Sequence, residues 1–80
     1  MTTLEGPAKL AYMANQIAQY FAAQPGDHAA QDTCDHLLSF WTPAMRQAII
    51  AYARGGARDL SPAAAQAVAL LAEASSAARN

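Results

Sequence analysis

The stretch "SFWTPAMRQAIIAYARGG", residues 39–56, predicts a helix whose start and end are both marked in the sequence. Thr42 suits the position before the first helical turn, because its hydroxyl can accept a hydrogen bond from a backbone N–H that has no partner within the helix. Pro43 suits the first helical position, where the N–H that proline lacks is not needed. Gly55 and Gly56 end the helix, since glycine readily adopts the left-handed conformation that follows many helices.

Similar signals elsewhere in the chain predict three further helices. Pro7 suits the first turn of a helix that continues to Gln24, where Pro25-Gly26 stops it. Asp27 can cap a second helix, and Ser61-Pro62 repeats the Thr-Pro type of start for a fourth. The predicted helices span about residues 7–24, 28–40, 43–54 and from 62 into the segment 73–80.

The composition favours helices throughout. Alanine is the commonest residue, and the strand formers Val and Thr are scarce. Alanine is the best helix former because it loses no side-chain entropy in a helix. We therefore predict an all-α protein, a small bundle of four helices in a single domain over residues 1–80. Its core is expected at about residues 8–72, with fraying at 1–6 and 75–80.

Apolar residues recur at helical spacing and predict one inward face for each helix. The predicted inward residues are Leu10, Met13, Ile17, Tyr20 and Phe21 in the first helix, Ala30, Cys34, Leu37, Leu38 and Trp41 in the second, Met45, Ala48, Ile49 and Tyr52 in the third, and Ala64, Ala67, Val68 and Leu71 in the fourth. Large apolar residues that fall off these faces are Tyr12, Phe40, Ile50 and Leu70. We expect Trp41 to pack inward at the junction of two helices, and Phe40, about 100° away around the helix, to face outward.

Charge and cysteine content exclude several classes of function. The formal net charge is −1, and no basic stripe is present, so we expect no binding to nucleic acid. No run of about 18 apolar residues occurs, so we expect no membrane span. The first residues lack the features of a signal peptide. Cys34 is the only cysteine, which excludes an internal disulfide and fits a reducing cytoplasm.

The second helix contains the residues that come nearest to a chemical site. His28, Asp32 and His36 are spaced i, i+4, i+8 and could offer three metal ligands along one face. A solvated, mildly acidic helix face explains them better, because structural zinc sites use Cys and His at stereotyped short spacings. Cys34 projects about 160° away from His36, so the two cannot form a thiol–imidazole pair. We predict no catalytic, cofactor-binding or metal-binding residue in this chain.

The surface is unusually poor in charge, and this favours a partner. Charged residues make up 14% of the chain, whereas an ordinary domain has about 25%. The outer face of the first helix carries neutral amides and a tyrosine, and Lys9 is the one charged residue from 8 to 24. Such groups are desolvated at less cost than charges, which are depleted at the centres of interfaces. The residues that we predict to contact a partner are Tyr12, Asn15, Gln16, Gln19, His36, Phe40 and Ile50.

Three segments resemble a known family. They are "KLAYMANQIAQYFAAQP" (9–25), "DHLLSFWTPAMR" (35–46) and the glycine pair at 55–56. The chain is similar over residues 8–72 to the delta subunit of soluble, NAD-dependent, molybdenum-containing formate dehydrogenases. Family members commonly read "FWDPRM" where this chain has Thr42 and Ala44. Thr42 preserves the helix cap, whereas Ala44 removes an arginine.

The resemblance implies membership of a complex that oxidises formate to carbon dioxide and reduces NAD. The alpha subunit of such a complex carries a bis-molybdopterin guanine dinucleotide centre, with molybdenum or tungsten, and iron–sulfur clusters. The beta and gamma subunits carry FMN and further iron–sulfur clusters. The resemblance implies that the delta subunit binds none of these cofactors and assembles or stabilises the alpha subunit. The motif positions carried over are Tyr12, Met13, Asn15, Gln16, His36, Phe40, Trp41, Pro43 and Met45.

Two alternatives remain open at this point. The chain could be a transient maturation factor that holds the alpha subunit during cofactor insertion and then leaves. It could also be a homodimeric helical module that associates through Tyr12, Phe40 and Ile50.

Overall fold

The computed structural model of the chain describes residues 6–78 and contains the four predicted helices, with the first ending two residues before the predicted Gln24 and the second beginning one residue after the predicted 28. The helices are α1 (Pro7–Ala22), α2 (Ala29–Phe40), α3 (Pro43–Arg54) and α4 (Pro62–Ala78). Within 6–78 there is no strand, and the helices form one compact domain, so the predicted all-α class is confirmed. Fraying was expected at both ends. Residues 1–5 and 79–80 lie outside the described residues, and 75–78 are helical.

Two helix starts use the side-chain caps that the sequence predicts. The Thr42 hydroxyl accepts a hydrogen bond from the Met45 N–H at 3.2 Å, and the Ser61 hydroxyl accepts one from the Ala64 N–H at 3.2 Å. The predicted cap of α2 is wrong. His28, rather than Asp27, precedes that helix, and its side chain makes no capping bond.

Helix α4 is in contact with each of the other three helices, most extensively with α2, and α1 also contacts all three. The predicted inward face of α4 is confirmed, since Ala64, Ala67, Val68 and Leu71 are all buried. Helix α2, which packs against α4, contributes Leu37, and this side chain is fully buried. The core therefore combines many small and medium-sized side chains with the one large indole of Trp41.

Alanines form the innermost line of α1. Ala11, Ala14 and Ala18 are buried, whereas the larger Leu10 and Ile17 are only half-buried beside them. Small side chains let helix axes approach closely, and larger ones are then placed at the margins of the contact. The sequence pattern placed the centre of the buried face at the larger residues, whereas the structure places it at the alanines.

Two residues predicted to face inward are exposed instead. Tyr20 on α1 is 62% exposed, and Leu38 on α2 is 42% exposed. Tyr20 lies on the side of α1 opposite the buried alanines, and Leu38 lies at the edge of the buried face of α2, one turn from Cys34. Both are apolar enough for a core, but neither has a neighbouring helix to cover it.

Candidate partner interface

The side of α1 that points away from the bundle carries no charge along its centre. This α1 outer face consists of Tyr12, Gln16, Gln19 and Tyr20, all exposed. Gln16 Nε2 donates a hydrogen bond to the Tyr12 hydroxyl at 2.7 Å, which holds the two side chains together along the helix. Lys9 is the one charged residue within α1. The face therefore offers hydrogen-bonding groups and aromatic surface at a low desolvation cost.

Asn15, which lies on the flank of this face, has an internal role that the sequence did not reveal. Its Nδ2 donates to the Asp59 carbonyl at 2.6 Å, and its Oδ1 accepts from the Ser61 N–H at 2.8 Å. The two bonds fasten the connection between α3 and α4 to the middle of α1. Contact of Asn15 with a partner stays a prediction. Its two internal hydrogen bonds already explain why an asparagine occupies this position.

An aromatic ridge crosses from α1 to α2. It consists of Tyr20, Phe21, His36 and Phe40. Ring centroids are 5.1 Å apart for Tyr20 and Phe21, 6.2 Å for Phe21 and His36, and 4.6 Å for His36 and Phe40. These spacings fall in the range of attractive aromatic pairs. The ridge is continuous with the α1 outer face, because Tyr20 belongs to both.

Phe40 is the most exposed large apolar side chain of the ridge. It is 73% exposed, whereas its neighbour Trp41 is 6% exposed. The predicted opposition of these two residues is therefore confirmed. Clusters of exposed apolar side chains are uncommon on isolated domains and mark sites of interaction.

Ile50 does not belong to this surface. It is 4% exposed and packs in the cleft between α3 and α4, so its predicted outward orientation is wrong. Both Ile49 and Ile50 of α3 belong to the buried core, and α3 packs against α4 and α1. The periodicity of a single helix does not show how much of its circumference the neighbouring helices cover, so it could not predict that Ile50 is buried.

The candidate metal ligands are not brought together. Within residues 6–78, no three His, Cys, Asp or Glu side chains lie close enough to hold a metal ion. His36 instead packs against Phe40 and Phe21. Asp35 accepts a hydrogen bond from Gln31 at 3.0 Å.

Cys34 and Tyr52 also lack the surroundings of reactive groups. Cys34 is buried, and burial together with the nearby Asp35 carboxylate raises the pKa of its thiol. The thiolate is the nucleophilic form, so a raised pKa opposes reactivity. Tyr52 donates hydrogen bonds of 3.0 Å to both carboxylate oxygens of Asp59, which raises the pKa of the phenol. These bonds tie α3 to the connection that follows it.

The helices over residues 6–78 include none that is long and apolar enough to cross a membrane. A small helical domain with an exposed, largely uncharged aromatic surface is typical of subunits that bind other proteins.

Comparison with known protein families shows which kind of protein-binding subunit this chain is. The family described as NADH-dependent formate dehydrogenase delta subunit FdsD matches residues 9–68. Because the match covers 60 of the 80 residues, the chain belongs to this family. The resemblance noted from the sequence is thereby confirmed, and the other formate dehydrogenase subunits are its partners. No curated protein and no solved structure matches the chain.

Proposed function

We propose that this chain is a non-catalytic subunit that assembles or stabilises a cytoplasmic NAD-dependent formate dehydrogenase. It docks on the alpha subunit through the aromatic ridge and the α1 outer face. In this proposal the bis-molybdopterin guanine dinucleotide, the iron–sulfur clusters, FMN and the NAD site all belong to the alpha, beta and gamma subunits.

The observation that supports docking most strongly is the exposure of Phe40, 73%, at the end of a ridge of contacting rings. Burying apolar surface contributes about 25 cal/mol per Å², and aromatic side chains are frequent anchors of protein interfaces. Nothing within the fold of residues 6–78 covers this surface. A partner subunit would cover it.

The proposal is tested by producing the enzyme complex with and without this chain. We expect the chain to co-purify in stoichiometric amount. Without it, we expect a lower yield or a lower melting temperature of the complex, and adding the purified chain back should restore the loss. The measurements are formate-dependent NAD reduction, molybdenum content per alpha subunit and thermal unfolding.

The pattern of rescue separates the alternatives. A complex that recovers only when the chain is co-expressed would instead indicate a maturation factor that acts before cofactor insertion. A complex of normal yield, stability and activity in the absence of the chain would contradict both roles. Formate-dependent NAD reduction by the isolated chain would contradict the non-catalytic assignment.

A further inference from the structure

We propose that a notch beside the aromatic ridge receives an arginine side chain of the partner subunit. The inference rests on the proposed docking function and adds the chemistry of the contact. The arginine notch lies between α1 and α2, has a volume of about 290 Å³, and is lined by Phe21, Asp32, Asp35, His36, Ser39 and Phe40.

The charges of the notch have one sign. Asp32 and Asp35 stand one turn apart on α2, and no lysine or arginine lines the notch. Arg46, the cation that follows α2 in sequence, donates to the carbonyl of Trp41 at 2.6 Å and is thereby used elsewhere. One oxygen of Asp35 accepts from Gln31, and the other accepts no hydrogen bond from residues 6–78, so it can accept from a partner. A cation from outside the chain complements this arrangement.

The rings of the notch favour a guanidinium over an ammonium. The ring planes of His36 and Phe40 are 37° apart, and those of Phe21 and His36 are 64° apart in an edge-to-face arrangement. Guanidinium is planar and weakly hydrated, so it stacks on aromatic faces while its N–H groups bind carboxylates. Lysine carries a strongly hydrated point charge and matches this combination less well.

The same features argue against other occupants. A purely apolar partner helix laid on Phe40 would bury the carboxylates of Asp32 and Asp35 without counter-charges, which is strongly unfavourable. An acidic segment would be repelled. The volume stands at the lower limit of small-molecule sites, roughly 300–1,000 Å³, and admits one side chain of the partner.

The first test uses the full isotope-labelled chain and two small probes, methylguanidinium and methylammonium, followed by NMR. We expect methylguanidinium to shift the signals of His36, Phe40 and Asp35 at millimolar concentration. Methylammonium should shift them much less. Equal shifts with both probes, or shifts absent from the notch, would overturn the assignment to arginine.

The second test measures binding of the chain to the enzyme complex purified without it. The double variant Asp32→Asn/Asp35→Asn should raise the Kd about tenfold or more, and it should reduce the salt dependence of binding. Asp27→Asn is the matched control: it removes the same kind of charge from an exposed residue that does not line the notch, and it should leave Kd nearly unchanged.

The outcomes distinguish the notch from the proposed function. If the double variant binds like the wild type, or if Asp27→Asn weakens binding equally, the arginine notch is rejected while docking stands. If the wild-type chain fails to bind the complex at all, the docking function fails and the notch fails with it.

Discussion

Phe40 and Trp41 are adjacent in the sequence but have opposite environments, and the backbone explains why. Phe40 is the last residue of α2, whereas Trp41 has left the helix with extended dihedral angles, φ −91° and ψ 145°. Its N–H still donates to the Leu37 carbonyl, as a helical residue would. The chain therefore changes direction only at Trp41, whose indole is buried in the core. The opposition was predicted from the spacing of 100° per residue around a helix, although Trp41 stands just beyond the end of α2.

Thr33 is a buried residue that the sequence did not mark for the core, and it leads to a prediction on stability. It is fully buried, and its hydroxyl has no hydrogen-bond partner among residues 6–78. An unpaired buried polar group destabilises the folded state by about 1–3 kcal/mol. Thr33→Val keeps the shape and removes this group, so the free energy of unfolding should rise by about 1 kcal/mol.

Urea unfolding measures the change in Thr33 variants. Thr33→Ser is the control, since it keeps the hydroxyl and loses the methyl group, and it should lower stability by about 1 kcal/mol. A less stable valine variant would mean that the hydroxyl has a partner in solution.

At the scale of the helices, the ends were more predictable than the faces. Proline, threonine, serine and glycine act locally, so the starts of α1, α3 and α4 follow directly from their residues. Which side is buried depends on where the other helices lie. Exposed Tyr20 and buried Ile50 were therefore both predicted wrongly, because a single helix contains no information on how closely its neighbours approach.

Asn15 links α1 to the connection between α3 and α4, and its removal should loosen that connection. Asn15→Ala leaves the partly buried Ser61 N–H without its acceptor, so we expect the free energy of unfolding to fall by about 1–3 kcal/mol. The Ser61 amide should also exchange its hydrogen faster.

Gln19→Ala is the matched control for Asn15. Gln19 and Asn15 both line a cavity between α1 and the connection that joins α3 to α4, but Gln19 is exposed. Its removal should therefore change stability by less than about 0.5 kcal/mol. Equal effects of the two variants would contradict the linking role of Asn15.

At the scale of the whole molecule, four helices enclose a core rich in alanine and leave their largest aromatic surface outside it. The all-α class and the shortage of surface charge were evident from composition. The position of the ridge was not, because it requires Phe21 of α1 to meet His36 of α2 across the bundle. Of the predicted interface residues, Tyr12, Gln16, Gln19 and Phe40 are exposed and His36 is half-buried, and their contact with a partner stays a prediction.

Hydroxyl-radical footprinting tests that contact most directly, by comparing the isolated chain with the assembled formate dehydrogenase. Docking predicts that oxidation of Tyr20 and Phe40 falls several-fold on assembly, while Leu38, which is exposed on the other flank of α2, reacts at an unchanged rate. Equal oxidation of Tyr20 and Phe40 in the free and assembled states would show that the ridge stays open to water, and the proposed interface would be wrong.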